Sequence, residues 1–200
     1  DSPSTRRIGR KSGHDFRVRS QTLASPHQTL AMTDTISIRT ADGADLDALV
    51  ELNRAVQGIH AAALPSLFKS ECALETVKEA FQKMMAAPGG CWLIAEAAQP
   101  CGYLYADFRE RPESWSQRQR RVCNISHVAV SPGWRRRGVA RQLVARVREE
   151  AARRGFERIE LDVWSFNREA KACFARLGFH VFNERMTYGE STAETEGPEP

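Results

Sequence analysis

Two hundred residues, 42% hydrophobic and 27% charged, argue for one ordinary globular domain, and no apolar run approaches the roughly 20 residues a membrane helix needs. The formal charge of +4 resides in residues 1–31, where six Arg and Lys face only Asp1 and Asp15. The rest of the chain is neutral, so nucleic acid is not an expected partner of the domain. Five cysteines without a C-x-x-C pair argue against a zinc site or disulfide framework and fit a reducing cytoplasm; no metal is expected.

Residues 1–33 lack hydrophobic periodicity and are expected to be a disordered or non-native tail, unable to offset its ordering entropy by burial. The Arg/Ser bias resembles an organelle transit peptide, but appended sequence or an upstream start is the plainer account, because Met32 stands just before the first strand. Residues 34–189 are expected to form the single domain, and 190–200 a disordered acidic tail.

Within the domain, 36–39 alternates like a half-buried first strand. Asp42 caps a helix over about 44–57 whose inner face is Leu46, Leu49, Val50 and Val56. A loop with His60, Pro65 and Phe68 leads to Ser70, the expected cap of a second helix with Leu74, Val77, Phe81 and Met84 inward. Segments 91–97 and 101–108 read as a hairpin, 110–120 as a long polar loop, and 122–130 as the fourth strand. A helix over 138–154 buries Leu143, Val144, Val147 and Ala151 and ends at Gly155. A fifth strand at 158–163 precedes a helix carrying Ala170, Phe174 and Leu177, and 179–188 is expected to return as one or two final strands. The order βαα-βββ-α-β-α-β predicts an α/β fold (an α+β mixed sheet), mostly antiparallel, with its fourth and fifth strands parallel and helices on both faces.

The segment from His127 to Ala140 carries the most chemistry. It reads as a buried strand, a Ser131-Pro132 turn and a basic glycine loop that opens a helix. A helix N-terminus offers free N–H groups and partial positive charge, so it is suited to an anion. Arg135, Arg136 and Arg137 add charge there, Gly138 removes the side chain that would hold a phosphate off the backbone, and Ala140 stays small. The pattern Arg135-x-x-Gly138-x-Ala140 resembles the acyl-CoA-binding signature of the GNAT superfamily of N-acetyltransferases. A second match, Asn167-x-x-Ala170-x-x-x-Phe174-x-x-x-Gly178-Phe179 after a short strand, is similar to that superfamily's closing strand–helix–strand. The resemblance covers most of the chain from Ile36 to Tyr188.

The resemblance implies a GNAT-like acyl-CoA N-acyltransferase fold in which the fourth and fifth strands splay into a V. It implies acetyl-CoA as co-substrate, its pantetheine pairing with backbone near Val128, Ala129 and Val130. The diphosphate would lie on Arg135, Arg136, Arg137, Gly138, Val139 and Ala140, with Asn167 and Phe174 touching the cofactor from across the V. The activity implied is direct acetyl transfer to a primary amine on a small molecule or peptide. The sequence also allows a homodimer.

Two chemical roles depart from the family pattern. Where members often carry a Tyr as the acid for the departing thiolate, this chain has Phe174, and Tyr105 is the phenol expected to be tested first. Where members with a fourth-strand base carry Glu or His, this chain has Asn124 and Ser126, which can hold water but take no proton near neutral pH. His127 is adjacent, but strict alternation turns it to the opposite sheet face, under a helix; only a β-bulge would re-aim it. His60, with Phe68, borders the expected acceptor site. The departures keep open a second reading, an acyl-CoA-binding regulator without turnover, and a third reading places nucleic-acid binding in the arginine-rich tail.

Overall fold

The computed structural model describes residues 35–188, so the tails expected at 1–33 and 190–200 lie outside the described residues. Strands β1 (Ser37–Thr40), β2 (Gly90–Glu96), β3 (Pro100–Arg111), β4 (Arg120–Val130) and β5 (Arg158–Leu161) form one sheet in chain order. The first three pairings are antiparallel and β4–β5 is parallel. Helices α1 (Leu46–Ala63) and α2 (Leu74–Ala86) cover one face, and α3 (Val139–Arg153) covers the other; α4 (Arg168–Arg176) follows β5.

Alternation along β2 and β3 divides the core in two. Trp92, Ile94, Tyr103 and Tyr105 meet Leu49, Val50 and Phe81 on the α1–α2 side. Leu93, Leu104, Ala106, Cys123 and Ile125 meet Leu143, Val144 and Val147 of α3 on the other. Because both faces are covered, the central strands read as nearly continuous apolar runs. Arg39 ties this scaffold at its edge, donating to Asp45 at 2.6 Å and Glu96 at 2.7 Å, while Asp42 and Asp45 form a reciprocal capping box ahead of α1.

Leu74, expected inward on α2, is exposed, and three further expectations need correction. First, α1 continues to Ala63, so His60 sits in its last turn rather than in a loop. Second, α2 starts at Leu74 after Ala73, with no side-chain cap, so Ser70 does not cap it. Third, residues 179–188 contain no strand. The chain leaves α4 through Gly178 at φ 94°, with the Phe179 N–H donating to Phe174 O at 3.0 Å. Phe179 packs onto the core and Phe182 lies under the Arg158 guanidinium at 4.6 Å, but Val181, Met186 and Tyr188 stay exposed. With most of its apolar groups left exposed, the segment gains little burial to offset the ordering of a further strand.

Candidate active site at the strand splay

The β4–β5 ladder is short. Its pairs run from Val122↔Arg158 to Ile125↔Leu161, and there β5 ends while β4 continues to Val130. Five residues of β4, roughly 16 Å of strand at about 3.3 Å per residue, therefore have no strand on that side among the described residues, and all but Ser126 pair with β3 on the other. Val128 and Val130 pack toward α3 and Ala129 toward α1. The freed edge points along the chain into a turn, Pro132–Trp134, and then into the basic loop.

That loop has an unusual backbone. Arg136 has φ 62° and Gly138 φ 85°, so two of its residues occupy the left-handed region. A side chain there costs about 1–2 kcal/mol, which glycine avoids at 138 and Arg136 bears. The first helical bond of α3 runs from Gln142 N–H to Gly138 O at 3.0 Å, and the N–H groups of Val139, Ala140 and Arg141 have no acceptor among the described residues. Arg135 reaches Glu169 at the start of α4 at 3.5 Å, and the Arg137 guanidinium lies 5.0 Å from the Trp134 ring centroid. A Cβ on Gly102 would stand 2.9 Å from both Ala129 O and Val139 Cγ1, so β3 approaches the root of α3 only as glycine. Across the gap, Asn167 caps α4 by accepting from the Ala170 N–H at 3.1 Å. Phe174 is half-buried and edge-on to Phe179 at 5.7 Å.

At the apex of the V the register between β3 and β4 shifts. Tyr105 pairs with His127 and Ala106 with Ile125, leaving Ser126 as an extra residue. This β-bulge overturns the expectation that His127 packs under the helix on the opposite face. Beyond the extra residue the alternation inverts, and His127 joins Phe81, Trp92 and Tyr105 on the α1–α2 side at 5.6, 6.4 and 6.0 Å. Asn124 and Ser126 meet a carboxylate absent from the sequence reading. Asn124 Nδ2 donates to Ser126 Oγ at 2.8 Å, Ser126 Oγ donates to Asp107 Oδ2 at 2.9 Å, and Arg109 Nη2 donates to the same oxygen at 3.0 Å. The available signal was the run Tyr105, Asp107, Arg109 at alternate positions of β3, which shares a face with Asn124 across the ladder. Met84, Pro88, Tyr105, Asp107, Ser126 and His127 line a cleft of about 480 Å³ here. The Tyr105 hydroxyl stands over Gly90, on the β2 side of β3 and away from the splay.

His60 and Phe68 do come together, with ring centroids 5.0 Å apart, and they meet Trp164 and Phe166 from the loop after β5. Burial lowers the proton affinity of both His60 and His127 below the ordinary imidazole value of 6.5. The unfolded chain therefore binds these protons more readily than the folded one, and the stability carried by the neutral rings is complete above pH 6.5 and lost as pH falls below it. The thermal midpoint should begin to drop there, before the hydrogen-bonded carboxylates Glu150 and Asp45 reach their ordinary values of 4.5 and 3.8. Melting curves across that range check this; a midpoint flat down to the carboxylate range would contradict it.

No group of three or more His, Cys, Asp or Glu among the described residues is placed to hold a metal, and no helix among them is long and apolar enough to cross a membrane. A parallel strand pair that parts beside a basic, glycine-opened helix defines the architecture of acyl-CoA N-acyltransferases. Residues 55–179 match the model of the Acetyltransferase (GNAT) family, and the chain belongs to that family.

Solved structures agree on the fold. A variant of the BH1408 protein from Bacillus halodurans superposes with a TM-score of 0.72 at 21% identity, covering 77% of this chain and 99% of that one. The aminoglycoside N-acetyltransferase AAC(6')-Iy, solved with CoA, gives 0.63 at 20% identity over 78% and 95%. The aminoglycoside 6'-N-acetyltransferase AAC(6')-Ih from Acinetobacter baumannii gives 0.60 at 20% identity over 78% and 98%. No curated protein sequence matches the chain.

Proposed function

We propose that this protein is an N-acetyltransferase that moves an acetyl group from acetyl-CoA directly to a primary amine of a small molecule or peptide. The observation that carries the reading is the continuity of the freed β4 edge, from Ser126 to Val130, with the N–H groups that open α3. Bound acetyl-CoA supplies an acyl group activated as a thioester. The backbone of Val128, Ala129 and Val130 binds the pantetheine arm as an added strand would bind. Arg135, Arg136 and Arg137 with the amides of Gly138, Val139 and Ala140 hold the diphosphate. Asn167 and Phe174 form the far wall. Backbone N–H groups at the bulge stabilise the oxyanion that develops on the carbonyl. Asn124 and Ser126 orient the acceptor or its water, Tyr105 walls the acceptor cleft, and His60 with Phe68 borders its entrance.

The two aminoglycoside acetyltransferases of like fold make aminoglycosides the first acceptors to try, and a cytoplasmic setting fits the buried free thiols Cys91, Cys101 and Cys123. The test is release of CoA thiol from acetyl-CoA over a panel of aminoglycosides, polyamines and peptide N-termini. Turnover of at least one is expected. Phe174, which cannot protonate a thiolate, favours the second reading of a CoA-binding regulator, and silence over the whole panel despite acetyl-CoA binding would establish that alternative.

A further inference from the structure

The cleft at the apex of the splay contains two groups that can take a proton, Asp107 and His127. Their surroundings separate them. Asp107 already accepts from Ser126 and Arg109, with Asn124 Nδ2 within 3.4 Å, so both of its oxygens are engaged. Neither ring nitrogen of His127 has a hydrogen-bond partner among the described residues, and the ring is half-buried rather than sealed. Phe81, Trp92 and Tyr105 hold the ring from three sides without touching its nitrogens by hydrogen bonds. The bulge at Ser126 is what brings it to this face, one residue beyond the last β4–β5 pair.

We propose that His127 is the catalytic base of this protein, taking the proton from an acceptor ammonium that docks against the Asp107 carboxylate. The inference rests on the acetyltransferase reading above and names the residue that the Asn124 position lacks. The titratable and charged groups facing the imidazole are Tyr105, Asp107 and Arg109, all on β3; α2 and β2 present Phe81, Met84 and Trp92. Burial lowers the proton affinity of the ring and so favours its neutral form, which is the one that accepts a proton.

The step balances. The imidazole lone pair takes one proton from R–NH3+, and the freed amine lone pair forms the N–C bond to the thioester carbonyl. Collapse breaks the C–S bond, with the electron pair leaving on sulfur. The amide nitrogen sheds its surplus proton, the thiolate takes up one, and the imidazolium returns its proton to water, for a net R–NH3+ plus acetyl-CoA giving the amide, CoASH and H+.

The test compares wild type with His127→Gln, which preserves size and polarity but cannot take a proton. On the best acceptor of the amine panel, kcat/KM should fall roughly 10²- to 10⁴-fold, with the acidic limb of its pH profile lost and acetyl-CoA affinity by calorimetry unchanged. A variant that retains wild-type kcat/KM and the same acidic limb overturns the role of His127 alone. A wild type that binds acetyl-CoA yet acetylates no amine removes the acetyltransferase reading and the role with it. Should the variant fail to fold, imidazole NMR of the wild type decides. A His127 ring that protonates in the folded protein with a midpoint below 6.5 is expected, and a ring that stays neutral until acid unfolding overturns the proposal.

Discussion

Gly138→Glu should lower the affinity for acetyl-CoA by at least about 100-fold, equivalent to about 2.7 kcal/mol. Two independent costs combine at this position. Gly138 lies at φ 85°, where any side chain pays about 1–2 kcal/mol of backbone strain. The carboxylate would also stand among the first amides of α3, repelling the diphosphate and competing with it for the same donors. Gly138→Ala separates the two costs. Its Cβ would find open space, with only the Arg141 Nη2 at 3.9 Å, so it carries strain without charge and should lose about tenfold. Calorimetric titration with acetyl-CoA measures both. Unchanged affinity in Gly138→Glu would remove the diphosphate from this loop.

A second substitution acts through packing. Gly102→Ala should destabilise the protein by about 1–3 kcal/mol, and Gly102→Val by more, although neither residue would touch substrate. The added carbon would stand 2.9 Å from the Ala129 carbonyl and 2.9 Å from Val139 Cγ1, and the first of these is backbone in the middle of the sheet. Relief requires β4 or the start of α3 to move, so acetyl-CoA affinity should fall together with stability. Gly133→Ala is the matched control, because nothing lies within 4 Å of its Cβ. Urea denaturation midpoints test the pair; a Gly102→Ala midpoint equal to wild type would mean that the close approach of β3 to α3 does not hold in solution.

Much of this molecule is legible in its sequence. Gly155 and Gly178 adopt the left-handed conformation that favours glycine at a helix C-terminus. The inward stripe Leu143, Val144 and Val147 is fully buried, as its helical spacing predicts. The misreadings cluster where alternation or local propensity was overridden from a distance. α1 continues through His60 because its end packs on Phe68 and on the Trp164–Phe166 loop, contacts between segments far apart in the chain. The 179–188 segment was expected to return as strand after the last helix, as in the closing strand–helix–strand it resembles, yet strand formation depends on a partner edge and something to bury.

The chain's linear order was enough to place the main helices and the five sheet strands, the parallel β4–β5 crossover and the basic glycine loop, because each rests on periodicity or on residues a few positions apart. Where that loop points, and what faces it, depended on register between strands. One extra residue, Ser126, inverts the alternation and carries His127 from one core to the other, into a cleft that Asp107 of a different strand also lines. A bulge leaves no mark in composition or spacing, since it exists only as a mismatch between two ladders. The acceptor side of this site is therefore a property of the folded sheet.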